Sequence, residues 1–142
     1  MDAAQALADL TEISSQIEAA VLFRGDGAVQ GSTLAREEAT AALVRGALEL
    51  LEGASRFRSE DGAVVQIEAS TPEGSVFVVR DGDRGIVATT APQPTVGLVF
   101  YDLKSCLRGA AAEEPSEPAP EPKKPKRRGA SAAAQEEGDA EA

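Results

Sequence analysis

The sequence predicts an α/β domain of the α+β type, with a mainly antiparallel sheet and room for helices on both faces. Three observations carry this. Apolar periodicity runs in the order helix, two strands, long helix, three strands, helix. Two Asp-Gly steps, Asp26-Gly27 and Asp81-Gly82, stand between extended runs and mark hairpin turns. The long central segment is apolar or small around more of its circumference than a single sheet covers.

The first helix is expected from Asp2 to about Ser14. Asp2 is its cap, Gln5 is the capping-box partner, and Leu7, Leu10 and Ile13 form one stripe. Ile17 to Arg24 is the first strand, which stops at Gly25-Asp26-Gly27. Ala28 to Gln30 returns as a short second strand, and Gly31-Ser32-Thr33 breaks it and offers a capping hydroxyl.

The long helix is expected from Leu34 to about Phe57, with Glu37 and Glu38 in its first turns, where the helix dipole favours anions. At 100° per residue, Glu38, Arg45, Glu49, Glu52 and Arg56 fall in one sector and leave roughly 240° apolar or small. Leu43, Ala47, Leu50 and Ala54 are placed at the centre of the sheet-facing side. Val44, Leu48 and Leu51 flank it on one side, and Ala39, Ala42, Gly46 and Gly53 on the other. The surplus asks for a second partner, and small residues at that spacing let another backbone come close.

Gly62 to Ser70 alternates, with Ala63, Val65, Ile67 and Ala69 opposite a more polar face. Thr71-Pro72-Glu73-Gly74 is a turn, and the continuous run Val76 to Val79 predicts a strand covered on both faces. Asp81-Gly82-Asp83 turns the chain into the strand Gly85 to Thr90. Val96, Val99, Phe100, Leu103 and Leu107 have helical spacing, with Gly109 as the C-cap.

Charge and composition bound the chemistry. The 142 residues carry 24 acidic and 14 basic side chains, a net charge of −10, and no histidine. Through Gly109 the balance is 16 acidic against 9 basic, a net of −7; from Ala110 it is 8 against 5, a net of −3. Pro115, Pro118, Pro120, Pro122 and Pro125 all fall in the second part. A domain over residues 1–109 and a disordered Pro/Glu/Ala-rich tail over 110–142 are therefore expected. Imidazole bases and histidine metal ligands are absent, and the single Cys106 excludes internal disulfides and thiolate zinc clusters. The apolar runs are far shorter than the ~20 residues that span a bilayer, and no signal-like segment opens the sequence, so a cytoplasmic location is expected. The acidic balance argues against a nucleic-acid surface on the folded part.

These residues and their order resemble the Roadblock/dynein light-chain family, a longin- and profilin-like fold. The resemblance rests on Leu7–Leu10, on Ala20-Val21-Leu22-Phe23 running into Asp26-Gly27, and on the acidic start and apolar length of the 34–57 helix. It rests also on the Gly74–Val79 and Gly85–Thr90 strands and the Val96–Leu103 segment. It implies an α/β/α sandwich with a five-stranded antiparallel sheet in the order 2-1-5-4-3. The long helix covers one face and the terminal helices the other. It further implies dimerisation through the long helix and third strand, as a homodimer or as a heterodimer with a related subunit. Prokaryotic members resemble regulators of small Ras-like GTPases, and eukaryotic ones serve as light chains or scaffolds.

The expected function is accordingly a noncatalytic dimeric adaptor that binds the switch surface of a small Ras-like GTPase. The alternative is a structural scaffold or light-chain-like subunit with no effect on nucleotide turnover. No acid–base constellation argues for an enzyme, and neither a cofactor nor a metal is expected. The dimer interface is assigned to Ala39, Ala42, Gly46, Gly53, Val65 and Ile67, and the partner-binding rim to Arg45, Glu49, Glu52 and Arg56.

Other candidates have simpler accounts. Asp26, Glu73, Asp81 and Asp83 lack the further ligands and terminal Glu of a calcium loop and fit hairpin turns. Cys106 has no histidine to activate it and lies beside Leu103 and Leu107, as a small buried hydrophobe would. Arg24, Arg36, Arg45, Arg56, Arg58 and Arg84 are candidates for an arginine finger but read more simply as solvated surface groups, and no Gly-x-x-x-x-Gly-Lys loop is present. Lys123-Lys124-Pro125-Lys126-Arg127-Arg128 has the charge to bind a nucleic acid, an anionic membrane or an import receptor. Its Glu-Pro and Ala/Glu surroundings read as a charge-mixed linker.

Overall fold

The computed structural model describes residues 2–57 and 64–111. The tail from residue 112, Arg58, and the Gly62-Ala63 start of the expected third strand lie outside the described residues. Within them the chain forms α1 (Ala3–Ile13), β1 (Ile17–Arg24), β2 (Val29–Ser32), α2 (Glu37–Ser55), β3 (Val65–Thr71), β4 (Gly74–Asp81), β5 (Arg84–Thr90) and α3 (Val96–Ala111). The strands make one antiparallel sheet in the order β2-β1-β5-β4-β3, as the resemblance implies.

Local chemistry sets each turn. At the β1–β2 turn the Asp26 carboxylate accepts the Ala28 N–H at 2.9 Å, which closes the chain back on itself. Gly74 closes the β3–β4 turn at φ 154°, and a Cβ there would lie 2.2 Å from the Thr90 carbonyl oxygen. Only glycine fits that backbone approach. Asp81 pairs with Arg84 across the β4–β5 turn.

The two faces of the sheet bury different cores. Alternation along the strands sends Ala20, Leu22, Phe77, Val79, Ile86 and Ala88 to one side, where Leu7 and Leu10 of α1 and Val99, Leu103 and Leu107 of α3 cover them. Val21, Phe23, Val78 and Val87 point the other way, under Val44, Ala47 and Leu51 of α2. Phe77, Val78 and Val79 are all fully buried, so the continuous apolar run is covered on both faces.

Several boundaries differ from expectation, each for a physical reason. Asp2 caps α1 by accepting the Gln5 N–H at 2.8 Å. The Gln5 side chain does not complete the capping box; it donates to Asp9 at 2.9 Å. Strand β2 starts one residue later and continues through Gly31 and Ser32, because Thr33 extends the pairing with β1. Its N–H donates to the Ala20 carbonyl, and its hydroxyl accepts the Ala20 N–H. The hydroxyls of this segment therefore do not cap α2. That helix starts at Glu37 with Arg36 as N-cap and no side-chain cap hydrogen bond. Helix α3 runs through Gly109 to Ala111, since Ala110 is buried against the sheet-side core.

Candidate functional site

The candidate site is the outward part of α2 together with β3. Helix α2 lies across β1, β2, β3 and β5, and the sheet sees only part of its circumference. The buried row is Thr40, Val44, Ala47 and Leu51. This corrects the expected centre: Leu43, Leu50 and Ala54 are only half-buried. Thr40, a polar residue, can join that row because its hydroxyl has a partner in Ser32 at 2.8 Å. On the flank beyond Val44, Leu48 abuts the β1–β2 turn, within 3.6 Å of a Cβ built on Gly27.

The opposite flank is open. Ala39, Gly46 and Gly53 are half-buried and Ala42 is exposed. A Cβ added at Gly46 or Gly53 would meet nothing within 4 Å, so these glycines are not there to fit the chain's own packing. Val65 and Ile67 of β3 are half-buried against the α2-side core. Among the described residues strand β3 ends the sheet and pairs only with β4, which leaves its other edge without a neighbouring strand. Phe57 lies just past the Arg56 C-cap of α2 and is 84% exposed. Spacing alone marked it as a helix end; its exposure is what identifies it as an apolar surface group.

The four residues assigned to the rim reach solvent. Arg45, Glu49, Glu52 and Arg56 are exposed on the outer face of α2. Arg56 and Glu52 approach to 3.7 Å, one helical turn apart, with three quarters of each side chain in water. Such a pair contributes only ~0.3–0.5 kcal/mol and leaves both groups available to a partner. At the C-terminal end of α2, Phe23, Leu48, Leu51, Glu52, Arg80 and Arg84 line a shallow groove of about 290 Å³.

The other candidates divide cleanly. Asp83 pairs with Arg24 at 3.1 Å across the two hairpin turns. Among the described residues no group of three metal-ligating side chains stands together. Arg36 pairs with Glu38 at 2.7 Å. Cys106 is buried and its thiol contacts the Ala6 carbonyl at 3.4 Å. Burial first, and the nearby Asp9 carboxylate second, push that thiol up to about 12, so it stays protonated and unreactive at neutral pH. Among the described residues no helix is long and apolar enough to cross a membrane. One group escaped the sequence reading. Asp102 is only 6% exposed, and its place on the buried side of α3, between Val99 and Cys106, is the pattern that could have shown it.

Comparison with known proteins agrees with this architecture. The sequence profile of the Roadblock/LC7 domain matches residues 4–91. A search of curated proteins finds no match. A Roadblock/LC7 domain structure from Streptomyces avermitilis is similar at 16% identity and a TM-score of 0.67, covering 79% of this chain and 97% of that one. Myxococcus xanthus MglB is similar at 14% identity and a TM-score of 0.56, covering 78% and 83%. LokiProfilin2, in its complex with rabbit actin, is similar at 13% identity and a TM-score of 0.53, covering 78% and 96%. Those likenesses carry the fold, and the profile match over more than half of the chain carries the family: the protein belongs to the Roadblock/LC7 domain family.

Proposed function

We propose that this chain is a noncatalytic dimeric regulator of a small Ras-like GTPase, acting by binding its switch surface. The observation that carries the reading is the open flank of α2, where small residues with free space above them adjoin the unpaired edge of β3. In the proposed dimer Ala39, Ala42, Gly46 and Gly53 let two α2 helices approach. Val65 and Ile67 bring the β3 edges together, so that two sheets become one. The outer face of the paired helices is then a platform with apolar and small groups at the centre and Arg45, Glu49, Glu52 and Arg56 at the rim, a transient-interface pattern. Family membership supports a regulatory role, and the site supplies surface complementarity rather than a reacting group.

The test is GTP hydrolysis by a Ras-like GTPase from the same genome, with and without the full chain. A change in turnover supports regulation; tight binding with unchanged turnover would favour the scaffold reading. Rim charges set association rate and salt sensitivity more than lifetime. Arg45→Glu with Arg56→Glu is expected to slow association roughly tenfold and flatten its salt dependence, with dimer mass unchanged by light scattering. Association at the wild-type rate would remove this face from the site.

A further inference from the structure

We propose that the groove between α1 and α3 is the docking site of the chain's own basic segment, Lys123-Lys124-Pro125-Lys126-Arg127-Arg128. This groove lies on the opposite side of the sheet from α2 and does not depend on the GTPase reading. It encloses about 180 Å³ and is lined chiefly by Ala6, Leu10, Ile13 and Cys106, with two carboxylates, Asp9 and Asp102. Its floor is apolar, and Ile13 at one end is 65% exposed.

Asp102 is the telling group. It is 6% exposed, lines the groove, and makes no hydrogen bond or ion pair among the described residues. Its carboxylate oxygens still reach water through the groove, since the Ser14 hydroxyl is the one buried polar side-chain atom without a partner among the described residues, and they stand open to a cationic partner, the kind a half-covered carboxylate favours. The basic residues of α3 do not supply it. Lys104 and Arg108 are two and six positions on, turned by about 200° and 240° from the Asp102 direction. Among the described residues Asp9 receives only the Gln5 side-chain amide. Its charge reaches the groove floor, where it adds to the upward push on the Cys106 thiol.

The groove therefore fits a side chain with a long apolar stem and a cationic head, which describes lysine and arginine. The 123–128 segment offers five such groups around one proline. It is also within reach. Helix α3 is described as far as Ala111, and Asp102 lies nine residues back, about 14 Å along the helix. The twelve-residue step from Ala111 to Lys123 spans at most ~40 Å, more than enough to fold back. The tether holds the segment near the groove at roughly millimolar local concentration. The acidic linker residues Glu113, Glu114, Glu117 and Glu121 are repelled by the same groove, which selects the basic stretch over its neighbours.

The experiment is carbodiimide coupling on the full chain at low ionic strength, with peptide mapping by mass spectrometry and a mixture of isotopically heavy and light chains. The expected product joins Asp9 or Asp102 to Lys123, Lys124 or Lys126 within one chain. Its yield is expected to fall about fivefold in ~0.5 M salt and in Asp102→Asn. The same fall is expected in the tail variant Arg127→Glu with Arg128→Glu, which cannot disturb packing among the described residues. Coupling of the tail lysines spread over surface carboxylates such as Glu18 and Glu73 would overturn the proposal. So would groove products found mainly as heavy–light pairs, or an unchanged yield in the tail variant.

Discussion

Gly85 is expected to resist replacement because of one aromatic ring. It pairs with Phe23 across β1 and β5, and the ring lies over it. A Cβ at position 85 would stand 2.5 Å from Phe23 Cζ and 2.8 Å from Cε2. Carbon atoms rest ~3.5–4.0 Å apart, so the ring must retreat by about 1 Å. Phe23 is 1% exposed and packed with Val44, Ala47, Leu51, Val78 and Val87. Overpacking of such a site costs ~1–3 kcal/mol. The groove beside Arg80 and Arg84 adjoins the ring and offers some relief, which places Gly85→Ala at about 1–2 kcal/mol, or roughly 5–10 °C in Tm for a domain of this size. Urea unfolding followed by circular dichroism, at one fixed chain concentration, measures it. Phe23→Leu removes the far ring atoms, so Gly85→Ala in that background is expected to cost no more than about 0.5 kcal/mol. An equal cost in both backgrounds would show that the strain is not at the ring.

Further outcomes follow from other parts of the molecule. Gly46→Arg or Ala42→Glu is expected to give monomer by light scattering with an unchanged circular-dichroism spectrum, since neither side chain meets the chain's own packing; dimeric mutants would place the interface elsewhere. Truncation after Ala111 is expected to shift Tm by no more than about 5 °C, because the removed tail has no large apolar side chain and exposed ion pairs contribute ~1 kcal/mol at most. Alkylation is expected to spare Cys106 in the folded chain at pH 8 and to modify it fully in urea. The folded thiol sits near 12 against an ordinary value of 9.0, so the folded state holds the extra proton between those values. That contribution to stability is full below pH 9 and is lost as pH rises toward 12. The decline of the urea midpoint over this window is expected to be shallower in Cys106→Ala than in the wild type.

The strands and the exposed α2 face were legible because each rests on a local rule. Asp-Gly turns, alternation and the Val76–Val79 run need no knowledge of the rest of the chain. Gly31 was misleading because its reason is distant. A Cβ there would lie 3.0 Å from Leu7 Cδ1 and 3.3 Å from Ala3 Cβ, so the glycine admits α1 over a continuing strand rather than ending one. Thr40 was invisible for a similar reason. Its burial depends on a hydroxyl partner in Ser32, and hydrophobicity scoring gives the central row to Leu43 and Leu50. In the candidate site the charged rim could be placed from helical spacing alone. The exposed Phe57 and the unpartnered Asp102 could not, since both are defined by what surrounds them in three dimensions.

The unequal finish of the two helical layers has a dynamic consequence. One side of the sheet is closed by two helices that bury eight residues of their shared core against the strands, including Leu7, Leu10, Leu103 and Leu107. The other side has a single helix with Thr40, Val44, Ala47 and Leu51 fully covered. Local opening takes least free energy where the fewest apolar contacts are lost. The amides of α2 should therefore exchange with deuterated solvent sooner than those of α1 and α3 in an isolated chain. Association that covers the open flank would slow exchange in α2 alone. If two chains associate there, protection becomes a function of chain concentration, so that a dilution series reads that association from the protein's own backbone, without a label on the surface that it measures.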